Sequence, residues 1–295
     1  MLSINRNEKV KEMIQSVQEW ANDKEVRDDF SIRIKRNFIE RTTLKKLSAA
    51  TLHGEWIASY KYGCGVASLV NSEKPHYELF EEAVIFHFCC QCVILESDEG
   101  ESDWQLVDKP VLWSYCFFYS MLAGASRLAK WYARKMLQEY KSGRFKESNC
   151  LSHDYYWFLF CLVSLYLDED LITDEVINKC GVYRGLIEKD APTEDDLVKA
   201  LDFHLEESYG GESNKGCDII LFADNFALFY PLEILACLKI KKVEEIDYSI
   251  HPLLEIANKP IRDFKIPEID EDLALFISEA KAQYGIDILK IINGE

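Results

Sequence analysis

From Asn5 to Val70 the chain contains no proline, and its apolar residues return at helical spacing, as in Ala49, Leu52, Trp56 and Tyr60. A proline-free stretch of that length with a 3.6-residue period can bury one face as helix but has no alternation with which to line a sheet. The rest of the chain agrees. Thirteen glycines and seven prolines in 295 residues are about 7%, against an average near 12%, which disfavours turn-dense sandwiches and barrels. The sequence therefore predicts an all-α fold, an irregular array of antiparallel helical pairs with no substantial sheet. It forms a single all-helical domain over 1–295, with a division into lobes 1–145 and 146–295 left open.

Helices are expected over Asn5–Trp20 and Val26–Val70, then from Pro75, in the first turn, through Phe80, Val84, His87 and Phe88 to Leu95. Pro110 starts a further rod that runs to Tyr140 and ends at Gly143. Met121, Ala125, Leu128, Tyr132 and Met136 form its apolar stripe, and Arg127, Lys130 and Arg134 a basic one. Tyr155–Leu167 follows, then Thr193–Ser208, where Thr193 and Asp196 match a capping box and Gly210 and Gly211 stop the helix. Pro231 divides or kinks the apolar run Cys217–Ile240, and a last helix around Leu273, Phe276, Ile277, Ala280 and Tyr284 is capped by Gly285. No fixed-period repeat links these segments.

Charge is unevenly shared. Lys and Arg number 34 against 51 Asp and Glu, a formal charge of −17, yet residues 1–61 carry +3. Such a surplus repels phosphate backbones and anionic headgroups, so neither nucleic acid nor a membrane is the expected partner, and a basic protein is. Residues 96–108 hold six acids and no base around Trp104. Residues 166–213 hold fourteen acids against four bases. The candidate partner-binding residues are accordingly Asp98, Glu99, Glu101, Asp103 and Trp104, then Asp168, Glu169, Asp170, Asp195, Asp196, Glu206, Glu207 and Glu212. An exposed aromatic ringed by carboxylates has the anatomy of a binding anchor, the alternative being that Trp104 folds back onto its own domain. The basic residues Arg33, Lys35, Arg36, Arg41, Lys45 and Lys46 are expected to pack toward acidic neighbours in the same chain.

No catalytic group is expected, nor any cofactor or metal. His87, Cys89, Cys90 and Cys92 are zinc-ligand types, but on a helix they form two diverging pairs, so they read as core. Asp168, Glu169, Asp170, Asp174 and Glu175 are of the type that holds magnesium. The competing account places them, solvated, at a helix N-terminus begun by Thr173 and Asp174. Gly63-Cys64-Gly65 fails the dinucleotide fingerprint and reads as close helix packing. His53 and Glu55 do not complete a His-Glu-x-x-His zinc motif. The ten cysteines lie mostly beside Phe, Leu or Ile as reduced fillers, no signal peptide or membrane span is apparent, and a cytoplasmic location is expected.

Four segments, Arg41–Ala50, Tyr155–Ser164, Phe229–Ala236 with its Tyr230-Pro231-Leu232-Glu233, and His251–Glu255, give the chain a layout that resembles the all-helical immunity proteins of bacterial polymorphic-toxin systems. The resemblance is to immunity family 49 and, more remotely, to immunity proteins against PoNe-type nuclease toxins. It implies a non-catalytic cytoplasmic inhibitor of a toxin, often a nuclease, and together with the surplus acid it leads to the expectation that the chain neutralises a cognate, basic toxin by stoichiometric occlusion. A homo-oligomer is compatible with that role. The alternatives are a metal-dependent helical-bundle enzyme using Asp168, Asp170 and Asp174, and a helical scaffold for a host regulatory partner.

Overall fold

The computed structural model describes residues 5–71, 75–96, 110–143, 153–208, 230–243 and 245–293, and the regular elements among them are all helical. At the centre lie α4 (Leu47–Asn71) and α5 (Tyr77–Glu96), following α1 (Arg6–Asn22), α2 (Lys24–Asp28) and α3 (Lys35–Thr43). Contacts from Glu55 to Gln91, Lys61 to Glu82 and Tyr62 to Phe80 climb one helix as they descend the other, the mark of an antiparallel pair. Small residues set how close the two come. A side chain at Gly65 would meet the Phe80 ring at 3.0 Å, and one at Gly63 would meet Trp20 of α1 at 2.6 Å. The Gly63-Cys64-Gly65 segment is thus a packing device.

Around this pair stand α6 (Pro110–Leu122), α7 (Ser126–Ser142) and α8 (His153–Leu167). Next come the short α9 (Asp174–Asn178) and α10 (Arg184–Glu188), then α11 (Glu194–Ser208) and α12 (Leu232–Ile240). The chain closes with α13 (Pro252–Ala257), α14 (Glu271–Tyr284) and α15 (Ile288–Asn293). Buried apolar residues from Val10 to Ile292 form one continuous cluster. His87, Cys89, Cys90 and Cys92 belong to its interior, and His87 Nδ1 lies 3.0 Å from the Tyr132 hydroxyl, so they are core as expected. No helix among the described residues is long and apolar enough to cross a membrane.

Several boundaries correct the sequence reading. The expected rod over Val26–Val70 contains a π-helical segment, Asp29–Ile34, and then breaks at Leu44–Lys46, where Lys45 turns left-handed at φ 57°. Neither glycine nor proline announces that break. It is imposed by α3 folding back along α4, and the Lys45 and Lys46 amides donate to Thr42 and Arg41 carbonyls at 2.9 Å to hold it. The rod from Pro110 breaks at Ala123–Ala125, where Gly124 takes φ 78°. Pro75 precedes the first turn, which opens at Tyr77. The short helix α9 starts where Thr173 and Asp174 were expected to begin one, whereas α10, α13 and α15 carry no signal that the sequence reading used. The expected caps are present: Thr193 and Asp196 exchange hydrogen bonds, Gly143 and Gly285 are left-handed C-caps, and α12 begins directly after Pro231. The run Cys217–Phe229, with Gly210 and Gly211, lies outside the described residues.

Residues 258–270 cross the bundle as an extended strap. Tyr77 donates its hydroxyl proton to the Pro260 carbonyl at 2.7 Å, Phe264 N–H donates to Ala123 O at 2.7 Å, and Arg262 reaches Glu78 and Glu81. The strap delivers α14 to α3, where Phe276 packs on Phe38 at 5.3 Å and Asp272 pairs with Lys35 at 2.8 Å.

Candidate interaction surface

The acidic region predicted from 166 to 213 is built on the end of α8 and the start of α11. α8 stops because Asp168 adopts φ 57° and the Glu169 amide returns to Ser164 O at 3.0 Å, closing the last turn. Asp168, Glu169 and Asp170 are therefore exposed at a helix C-terminus, a correction to the expected N-terminal setting. Asp174 and Glu175 occupy the first turn of α9, whose N-cap Thr173 accepts from Val176 N–H at 3.3 Å. Among the described residues no group of three or more His, Cys, Asp or Glu is placed to hold a metal ion, so Asp168, Asp170 and Asp174 do not form such a centre.

Much of the predicted acid is neutralised within the chain. Glu169 faces Lys141 at 3.5 Å, Asp195 faces Lys199 at 2.6 Å, and Glu206 faces Lys9 at 3.7 Å. Asp196 is the most engaged, accepting from Lys189 at 2.6 Å and from both donors of Thr193. Partial burial alone would raise its pKa, but these hydrogen bonds and the Lys189 charge outweigh burial and bring it down to about 2. Asp196 is a capping group rather than a free docking charge. Of the candidate docking acids with described side chains, Asp168 and Asp170 have no basic partner among the described residues, and Leu165, 37% exposed, lies one turn earlier. The side chain of Glu207, and the whole of Asp98, Glu99, Glu101, Asp103, Trp104 and Glu212, lie outside the described residues.

The basic N-terminal residues overturn another expectation. Lys35 does pair with Asp272, yet Arg36, Arg41, Lys45 and Lys46 are exposed with no acidic partner among the described residues. Asp195, Asp196, Asp202 and Glu206 of α11 pair instead with Lys199, Lys189, Arg6 and Lys9.

Sequence reasoning missed a cleft of about 1060 Å³ between the start of α1, the middle of α11 and residues 249–255. Arg6 grips Asp202 through two hydrogen bonds of 2.5 Å across 196 residues, and Asp202 also lies 3.3 Å from His251 Nε2. No local signal could have joined residues so far apart. His251 Nδ1 accepts the Leu253 amide at 3.2 Å as the cap of α13, so its hydrogen is on Nε2, directed at Asp202. Burial lowers the His251 pKa, Asp202 partly restores it, and the balance is about 4. The unfolded chain, with histidine near 6.5, then binds a proton that the folded chain refuses between pH 6.5 and 4, so stability falls as pH drops through that window. Its contribution should be about 2 kcal/mol, and His251→Asn, which can still cap α13, should flatten the unfolding free energy over that window. A variant that keeps the full slope removes His251 as its source.

No protein-family model matches the chain, and no curated protein and no solved structure is significantly similar to it.

Proposed function

We propose that the chain is a non-catalytic binding protein that neutralises a basic protein toxin, of the nuclease type, by covering it stoichiometrically in the cytoplasm. One observation carries this reading. The turn leaving α8 presents Asp168 and Asp170, unpaired among the described residues, beside an exposed Leu165, within the stretch that holds fourteen acids against four bases. An apolar contact bordered by unpaired carboxylates suits a cationic protein surface: the apolar part excludes water, and the field of the acids speeds encounter. The resemblance in layout to polymorphic-toxin immunity proteins supports the same reading.

Co-expression tests it. A toxin gene neighbouring this one should be lethal alone and harmless with this chain, and the two proteins should co-purify in equal amounts. Failure of both rescue and co-purification rejects the reading. Charge reversal by Asp168→Lys with Asp170→Lys should slow association about tenfold at low salt and make the rate less salt-dependent. An association rate indifferent to both changes would take the docking role away from this turn.

A further inference from the structure

Behind the same turn two thiols face each other. Cys161 on α8 and Cys180, two residues beyond α9, bring their Sγ atoms to 3.6 Å, and both side chains are fully buried. A disulfide needs the sulfurs at about 2.0 Å, so about 1.5 Å of approach separates this contact from a bond. The backbone is arranged to supply it. α9 has five residues, none of them buried, and Gly181 follows Cys180 directly with φ 49°. The third thiol of this region, Cys237, belongs to α12, in which every residue from Leu232 to Leu238 is buried, and its Sγ is directed to Leu186 O at 3.6 Å. Cys180 is thus the sulfur whose backbone can move, and Cys161 the one it meets.

We infer that Cys161 and Cys180 form an oxidative modification site, closing to an intramolecular disulfide when a peroxide or a small disulfide reaches them through local opening of the α9 segment. Opening is required because neither sulfur is reachable in the closed structure, and the hydrogen bond to Cys180 together with burial pushes the Cys161 thiol far up. The segment is suited to opening: it is held by the Thr173 cap, by Lys179 paired with Glu175 at 3.3 Å, and by Lys179 lying 4.4 Å over Trp157. With hydrogen peroxide, the Cys180 thiolate attacks one oxygen and becomes a sulfenic acid, and the other oxygen leaves as hydroxide and is protonated to water. The Cys161 thiolate then attacks the sulfenic sulfur and expels a second hydroxide, again protonated to water. Two thiols lose two electrons and two protons, and one peroxide becomes two waters. The bond ties the acidic turn, residues 168–174, to α8. It stands or falls independently of any partner.

The test is peroxide treatment of the reduced full-length chain, followed by digestion without reductant and mass spectrometry. The expected product is a peptide pair joining Cys161 to Cys180, two hydrogens lighter than its parts, with a higher thermal midpoint that dithiothreitol reverses. Cys180→Ser should abolish the cross-link and Cys237→Ser should leave it. Thr173→Ala, which loosens α9, should accelerate closure about fivefold. A bond from Cys161 to Cys237, thiols that stay reduced, or a rate indifferent to Thr173→Ala would each overturn the proposal. The wild-type digest assigns the linkage without relying on any variant to fold.

Discussion

Glu233→Met, made alone, should destabilise the protein by about 3 kcal/mol, whereas adding His204→Leu to it should restore most of that loss. The pair is fully buried between α11 and α12, with Glu233 Oε1 at 2.5 Å from His204 Nδ1. Such a contact joins an acid and a base far from water, so each is tolerable only in the other's presence. Removing the carboxylate takes from the buried imidazole its 2.5 Å partner, and the cost of that lost compensation, rather than the bond itself, sets the size of the effect. The double variant places two apolar side chains of similar volume where the pair was, and the penalty disappears with both polar groups. Chemical denaturation of the three proteins reads the result directly. A double variant as unstable as the sum of its single changes would mean that the pair is not a closed unit.

Arg262→Ala should cost about 3 kcal/mol and exceed the cost of Glu81→Gln, although both break the same contact. The asymmetry follows from burial. The Glu81 side chain is 2% exposed and the Arg262 side chain 30%. Without Arg262, the Glu81 carboxylate stays under the strap with, among the described residues, the Lys265 amide at 2.9 Å to compensate it. Without the Glu81 charge, Arg262 keeps Glu78 at 3.1 Å, the Tyr77 ring and water. Loss of the arginine should also release α14 from α3, since the strap between them is held at its middle by this group. Hydrogen exchange should therefore rise in residues 271–284 for Arg262→Ala and much less for Glu81→Gln. Equal costs, or protection of α14 unchanged in both, would show that Phe276 on Phe38 anchors this helix without the strap's help.

The sequence presents the acids of residues 166–213 as one docking face, and the structure divides it. Counting acids measures net charge but not which of them already has a base. Lys9 and Arg6 come from the first helix to engage Glu206 and Asp202 on α11, and Lys189 reaches forward to Asp196. The +3 of residues 1–61 thus meets some of the downstream acid as expected, but through Arg6, Lys9, Lys35 and Lys61 rather than through Arg36, Arg41, Lys45 and Lys46. Within the region that the structure describes, the candidate surface contracts to Asp168, Asp170 and Leu165.

Periodicity, the scarcity of proline and glycine and the capping residues determined by themselves that this chain is helical, where most of its long helices run, and that Thr193, Gly143 and Gly285 mark helix ends. Those signals act within a turn or two of backbone, so a single sequence records them in full. Tertiary structure alone decided the break at Lys45, the union of Arg6 with Asp202 and His251, the burial of Glu233 against His204, and the meeting of Cys161 with Cys180. Each joins or bends segments whose local sequence is content with something else. The stabilising contact exists only once the chain has folded back on itself, and no residue announces in advance which distant surface it will meet.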